Sequence, residues 1–405
     1  MKLVDSIAAV AVLAGTSFAA GADWPQWRGP TRDNKIADFK APASWPTSLK
    51  QGWKVSVGEA VASPVLAGDK IYAFTRRGKE EVLTCLNAAD GKQVWEYKYE
   101  ADEVGRPASG FPGGESFKGP RSTPAVGNGK VVTLGVGGVV TCLDAETGKE
   151  VWKKETKTRP EFYTADSPLI AEGACVIQLG SKTKGELTAF DLNSGEEKWK
   201  WTGDGPSYGS PVLATIGDVK QIVILTAKNL VGVGFKDGKL LWQTPFLAGR
   251  WNTGTPVIDG DTVIAPGKAF TIKKTSDSFE ATEAWSGKAP TQYNTPVLKD
   301  GALFGLTGAR SRGKTQLFAV DAKTGKTLWE DATARGECGA VLDAGSVLLA
   351  LSSDSNLIAF KPSKSKFEEV AKYKVAETPT WAIPIVDGNR IFVKDRDSLA
   401  LWTIE

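Results

Sequence analysis

The chain is predicted to be all-β, an eight-bladed propeller closed by its N-terminal strand pairing with the last blade. Three observations carry that prediction. A strand, turn and tryptophan recur as "CLNAADGKQVW" (85–95), "CLDAETGKEVW" (142–152) and "AVDAKTGKTLW" (319–329). A Ser-Pro or Thr-Pro pair opens most units at a spacing of about 43 residues, the period of a four-stranded blade. Helical periodicity is weak throughout.

Taken in order, residues 1–22 place Lys2 before an apolar run from Ile7 to Ala14 and end in small residues. This is the pattern of a cleaved signal peptide, so the expectation is an exported, periplasmic or secreted chain that starts at Asp23. No cysteine lies near that junction, so a lipid anchor is not expected. No run elsewhere reaches the roughly 18 apolar residues of a transmembrane segment. Residues 23–50 read as an extended arm. Its Trp24, Trp27 and Trp45 are expected to lie across the outside of the ring and cap blade surfaces, since exposed tryptophans in a tail would be costly. A partner-binding arm is the alternative.

Residues 51–405 read as a single propeller domain. "SPVLAGDKIYAFT" gives an inner strand, a turn and a second strand, and "EVLTCLN" and "KQVWEYKY" complete one blade. In the repeated turn, Asp144 can accept from the backbone two residues on, and Gly148 can take the positive φ the hairpin needs, ahead of Trp152. Asp191, Gly195 and Trp199 repeat the offset, as do Asp321, Gly325 and Trp329. These aspartates are turn residues in this reading, and each tryptophan packs on the neighbouring blade. Strand starts number eight, with Gly339-Ala340 and Ile383-Pro384 in the last two slots. The final unit ends at "LALWTIE" without an outer strand, and Trp53 lies before the first inner strand. The N-terminal strand therefore supplies the missing one and removes an open edge.

Composition narrows the function. Fifty basic against 47 acidic residues give a net charge of +3 without a basic block, so no nucleic-acid footprint is visible. Histidine is absent, which removes His-liganded zinc, C-x-x-C-H haem attachment and Ser–His or Cys–His catalysis. Cys85, Cys142, Cys175 and Cys338 each fall in an apolar strand and read as buried small hydrophobes, with a Cys85–Cys142 bridge as the alternative. "GARSRGKT" (308–315) fits the P-loop pattern, but strands rather than a helix follow it. "GPSYG" (205–209) fits a nucleophile elbow, but Ser207 has no histidine and no strand-to-helix turn.

The D-x-x-T-G-K-x-x-W turn, the Ser-Pro starts and the eight units resemble pyrroloquinoline-quinone-type (PQQ-like) propeller repeats over roughly residues 50 to 405. Quinoprotein dehydrogenases and the outer-membrane assembly lipoprotein BamB share them. The head "DWPQWRGPTRDN" is similar to exported bacterial propellers of this type. Fold alone does not fix function.

Segments entering the inner strands converge on the channel mouth in such a ring, and they are polar and aromatic. They supply Glu59, Arg121, Tyr163 with Asp166, Tyr208, and Arg250-Trp251-Asn252. Beyond these come Tyr293-Asn294, Arg335 with Glu337, and Trp381. Arginines pair bidentately with carboxylates and rings stack on flat ligands, so the set is a candidate ligand-binding funnel. The blander reading has each residue satisfying backbone groups or lining a wet channel. The 101–121 segment inserts a Gly/Pro-rich loop whose Phe111 and Phe117 would cover the mouth as a lid or stay loose. The favoured function is a non-catalytic binding or scaffold module for an envelope protein, peptide or glycan, working as a monomer. The alternative implied by the resemblance is a PQQ- and calcium-dependent alcohol or sugar dehydrogenase. In it, Trp381 or Trp251 would stack on the quinone and Asp166 or Glu337 would be general base. The family's adjacent cysteines are missing from this chain.

Overall fold

In a computed structural model the described residues are 23–101, 119–156, 158–249, 251–276, 278–287, 291, 293–308 and 314–405. Their strands form eight four-stranded antiparallel sheets. Blade 1 runs outward through Val65–Ala67, Lys70–Arg77, Glu80–Asn87 and Gln93–Glu100. Blades 2 to 7 follow in sequence order with the same consecutive pairing. Middle strands are apolar on both faces because each sheet is covered by a blade on either side. Outer strands are mostly exposed, with the tryptophan buried or partly buried among charged positions, as an edge open to water requires.

Blade 8 is built from both ends of the chain. Ile385–Asp387, Arg390–Lys394 and Ser398–Thr403 take Lys50–Ser56 as their outer strand, with Trp53 opposite Leu401 and Val55 opposite Leu399. The closure expected from Trp53 is thus the observed one.

The repeated tryptophan and turn form an inter-blade joint. The indoles of Trp53, Trp95, Trp152, Trp199, Trp285 and Trp329 donate to backbone carbonyls of the next blade, at Ala88, Ala145, Leu192, Phe235, Ala322 and Ser363. In the same turns Asp144 Oδ1 accepts from the backbone N–H of Thr147 at 3.0 Å, and Asp321 Oδ1 from that of Thr324 at 2.9 Å. The glycine of the turn presses on the indole face. A Cβ on Gly148 would stand 2.6 Å from Trp95, and one on Gly325 2.4 Å from Trp285. Trp242 is the exception, donating to Gln221 Oε1 in its own blade at 2.5 Å. The stretch linking the last two strands of blade 5, Lys268–Lys274 and Phe279–Ser286, contains no glycine to make room for an indole.

The Ser/Thr of each blade start has a physical role that spacing alone does not reveal. Ser63, Thr123, Ser167, Ser210 and Thr255 each donate a backbone N–H to the hydroxyl of the next blade, ending on Thr295. Ile383 N–H donates to Ser63 Oγ at 2.8 Å and carries the chain across the closure. It breaks at Gly339, which has no hydroxyl and instead donates its N–H to Asn294 Oδ1. Ser167→Ala is expected to strand the buried Thr123 N–H and to cost about 1–3 kcal/mol in denaturant melts. Ser122→Ala, which removes a buried hydroxyl that has no partner, should stay within about 0.5 kcal/mol of wild type.

The arm departs from expectation. Residues 23–36 lie inside the ring instead of across its outside. Trp24 exchanges backbone bonds with Leu66 of blade 1, and Ile36 N–H donates to Asp343 O of blade 7. Both positions are near the first turn of their blades, so the arm enters from that face. Its tip reaches the strand starts of blades 3, 4, 5 and 6 through Arg32, Trp27 and Arg28. The cause is chemical. Proline at a strand start removes an N–H, so the channel wall presents carbonyls that need donors, and guanidinium groups supply them. Trp45 does lie outward, against Tyr373 of the outer strand of blade 7.

The four cysteines are free thiols, three of them buried. Burial holds the Cys85 and Cys142 thiols up at about 12. No helix among the described residues is long and apolar enough to cross a membrane.

Candidate functional site

The mouth opposite the arm is organised around Arg121, just before blade 2. Its Nη1 donates to the carbonyl of Phe162. Burial lowers the guanidinium pKa, and Tyr208, Tyr163 and Tyr293 are within Coulombic reach and oppose that shift. These tyrosines precede blades 4, 3 and 6. The guanidinium of blade 2 is thus under the influence of side chains that enter from three other blades.

An aromatic group stands beside it. Phe162 meets Trp251 edge to face, with ring centroids 4.9 Å apart, and Tyr208 at 6.1 Å. The Phe162 N–H donates to the Tyr208 hydroxyl at 3.2 Å. Tyr163 is buried at φ +69°, a conformation few non-glycine residues adopt, with the Arg159 guanidinium 4.6 Å from its ring centre. Tyr293, in the segment entering blade 6, is 42% exposed, and Leu247, in the segment entering blade 5, 59%.

Other expected mouth residues are spent inside the fold. Asn252 Nδ2 donates to Thr226 O and Phe246 O, while its Oδ1 accepts from Ala248 N–H. Asn294 bonds Thr307 O and Gly339 N–H and joins blades 6 and 7. Arg335 turns away from the axis, paired with Asp331 and lying 5.1 Å from the ring centre of Phe367. Glu59 is exposed, and its backbone bridges Arg76. Glu337 and Trp381 are partly buried. Arg250 and most of the insert, with Phe111 and Phe117, lie outside the described residues.

Asp166 is 2% exposed, with Oδ2 accepting the Gln178 N–H at 3.0 Å. Burial raises its carboxyl to about 7 against the opposing pull of that bond and of Arg32. Protonation then favours the folded state. The stability contribution is full below the ordinary carboxylate pKa near 4 and is lost as pH rises through about 7. Asp166→Asn keeps an acceptor for Gln178. The difference in unfolding free energy between wild type and variant should therefore fall from pH 4 to pH 7 and level off above. A flat difference across that range would contradict the assignment.

The donor set does not fit a quinone with calcium. The two asparagines are committed to backbone groups, Asp166 is enclosed, and among the described residues no three acidic or cysteine side chains stand together as a metal site. Ser207 Oγ accepts Gly209 N–H and lies 3.5 Å from Gln178 Oε1. Thr315 precedes the strand Leu317–Asp321, not a helix.

Phe162 is the residue that sequence reasoning missed. It lies in the same connecting segment as Tyr163, and the signal was there in the pairing of two adjacent rings.

A family model described as outer membrane protein assembly factor BamB matches residues 43–110, 80–331 and 313–405. The BamB of Burkholderia pseudomallei is 24% identical over 355 residues, covering 78% of this chain and 88% of that protein. The quinohemoprotein alcohol dehydrogenase of Comamonas testosteroni is 28% identical over 145 residues, covering 35% of this chain and only 19% of that enzyme. Among solved structures, BamB from Moraxella catarrhalis has a TM-score of 0.63 at 15% identity, covering 88% of this chain and all of that one. The Comamonas dehydrogenase has a TM-score of 0.70 at 16% identity, covering 94% and 80%. At these identities the structural likenesses establish the fold.

Proposed function

We propose, since the chain belongs to the family of the outer membrane protein assembly factor BamB, that it is a non-catalytic scaffold of the cell envelope that binds a protein component of outer-membrane assembly after export. The observation that carries the reading is the mouth itself, one buried guanidinium influenced by tyrosines of three other blades, with the Phe162–Trp251 ring pair and the exposed Tyr293 on the same connecting segments. A buried arginine amid aromatic rings suits an acidic group borne on an apolar segment. Arginine and aromatic residues carry much of the energy of protein interfaces.

The test measures binding of the purified chain to purified outer-membrane assembly machinery. Wild type is expected to bind saturably. Arg121→Ala with Trp251→Ala should weaken binding at least about tenfold, roughly 1.4 kcal/mol or more, with an unchanged melt. The rival dehydrogenase reading rests on the shared fold. It would gain support if added quinone and calcium gave alcohol-dependent dye reduction with no binding to the machinery.

A further inference from the structure

We infer that the axial channel is a guanidinium-binding site and that residues 23–36 are its intramolecular ligand, a separable plug that the ring grips through main-chain carbonyls.

Side-chain donors make the grip. Arg28 Nη1 and Nη2 donate to Thr295 O and Pro296 O, each at 2.9 Å. Arg32 donates through Nη1 to Pro211 O at 2.6 Å and through Nη2 to Ser167 O and Pro168 O at 2.9 Å. Asn34 Nδ2 reaches Val341 O at 3.0 Å. Two arginines four residues apart thereby join blades 3, 4 and 6, and the asparagine adds blade 7. Among the described residues neither guanidinium has a carboxylate within ion-pair distance. Burial lowers them to about 10 and about 9, so both keep their charge at neutral pH.

The backbone supplies a second, independent sign. Arg28, Arg32 and Asn34 sit at φ +63°, +59° and +62°. These left-handed conformations cost non-glycine residues energy and persist where the surroundings hold them. The strained non-glycine positions are the three whose side chains donate to wall carbonyls. The segment meets the ring by isolated bridges and joins no sheet, as expected of a bound peptide. Arginine's planar fork spans two carbonyls, which a lysine ammonium does not reproduce.

The test inserts a protease site between the exposed Ala43 and Ser44, leaving the closing strand attached to the ring. After cleavage, the 23–43 fragment is expected to co-elute with the ring at micromolar concentration. Its release from an intact ring would overturn the inference. A labelled peptide of residues 23–36 should exchange into the cut protein, and one carrying R28K and R32K should bind at least about tenfold more weakly. Equal affinities would also overturn it. Should the cut protein fail to stay folded, the intact chain decides. R28K/R32K is expected to lower the melting midpoint clearly, while Lys35→Ala, which removes only an exposed pair with Asp33, leaves it unchanged. An unchanged midpoint in the double variant would rule the plug out.

Discussion

Deleting residues 23–56 is expected to abolish the soluble monomer. Blade 8 would be left with three strands, ending on Ser398–Thr403 with its whole outer edge open. That strand reads SLALWT and carries no charge, unlike most outer strands of this ring, so nothing would discourage it from pairing with another chain. The deletion also removes the Trp53 indole from Ala88 O and from its packing on Phe392, and withdraws the donors that satisfy the channel carbonyls. Light scattering and size exclusion should show aggregates or open-edged oligomers, and the thermal melt should lose its cooperativity. The milder Trp53→Ala should keep the monomer and cost about 3 kcal/mol, toward the low end for a large aromatic because the side chain is only partly buried. A soluble monomer with a cooperative melt after the deletion would contradict the ring-closure account.

Gly325→Ala and Gly345→Ala form the second test, because they separate backbone strain from steric fit. Both glycines sit at positive φ, +71° and +76°. A Cβ at Gly345 meets nothing within 4 Å, whereas at Gly325 it would stand 2.4 Å from Trp285. Gly345→Ala should cost about 1–2 kcal/mol, the left-handed penalty for an L-residue. Gly325→Ala carries the same penalty and must also displace a buried indole that bonds Ala322 O, adding about 1–3 kcal/mol as an overpacked contact. Denaturant melts with equal shifts would mean that the glycine is there for its turn alone.

The repeat made the blades legible. A strand period of two, an Asx turn and a glycine act locally, so Asp144, Gly148 and Trp152 could be read without partners in view. Closure followed by counting, since a unit without an outer strand and a tryptophan ahead of the first unit fit only each other. The arm was misplaced for a different reason. Its partners are mainly backbone carbonyls, at the starts of blades 3, 4 and 6 and within the inner strand of blade 7, and carbonyls leave no trace in the side-chain sequence. A faint signal existed in Arg28 and Arg32 around Gly29-Pro30, facing a ring of prolines that lack N–H groups. At the mouth, position was predictable but direction was not. Arg121 and Tyr208 meet at the backbone of Phe162, while Arg335 finds Asp331 and Phe367. Asn252 and Asn294 serve backbone groups that no pattern announces.

Hydrogen exchange of the purified chain, free and bound to outer-membrane assembly machinery, tests most directly whether one mouth of a plugged ring is the binding face. The account predicts new protection confined to 119–123, 158–164, 205–209 and 293–296, with the opposite turns at 68–69 and 345–346 unchanged. Protection at those turns or along the outer strands, with the four mouth segments unaffected, would contradict it.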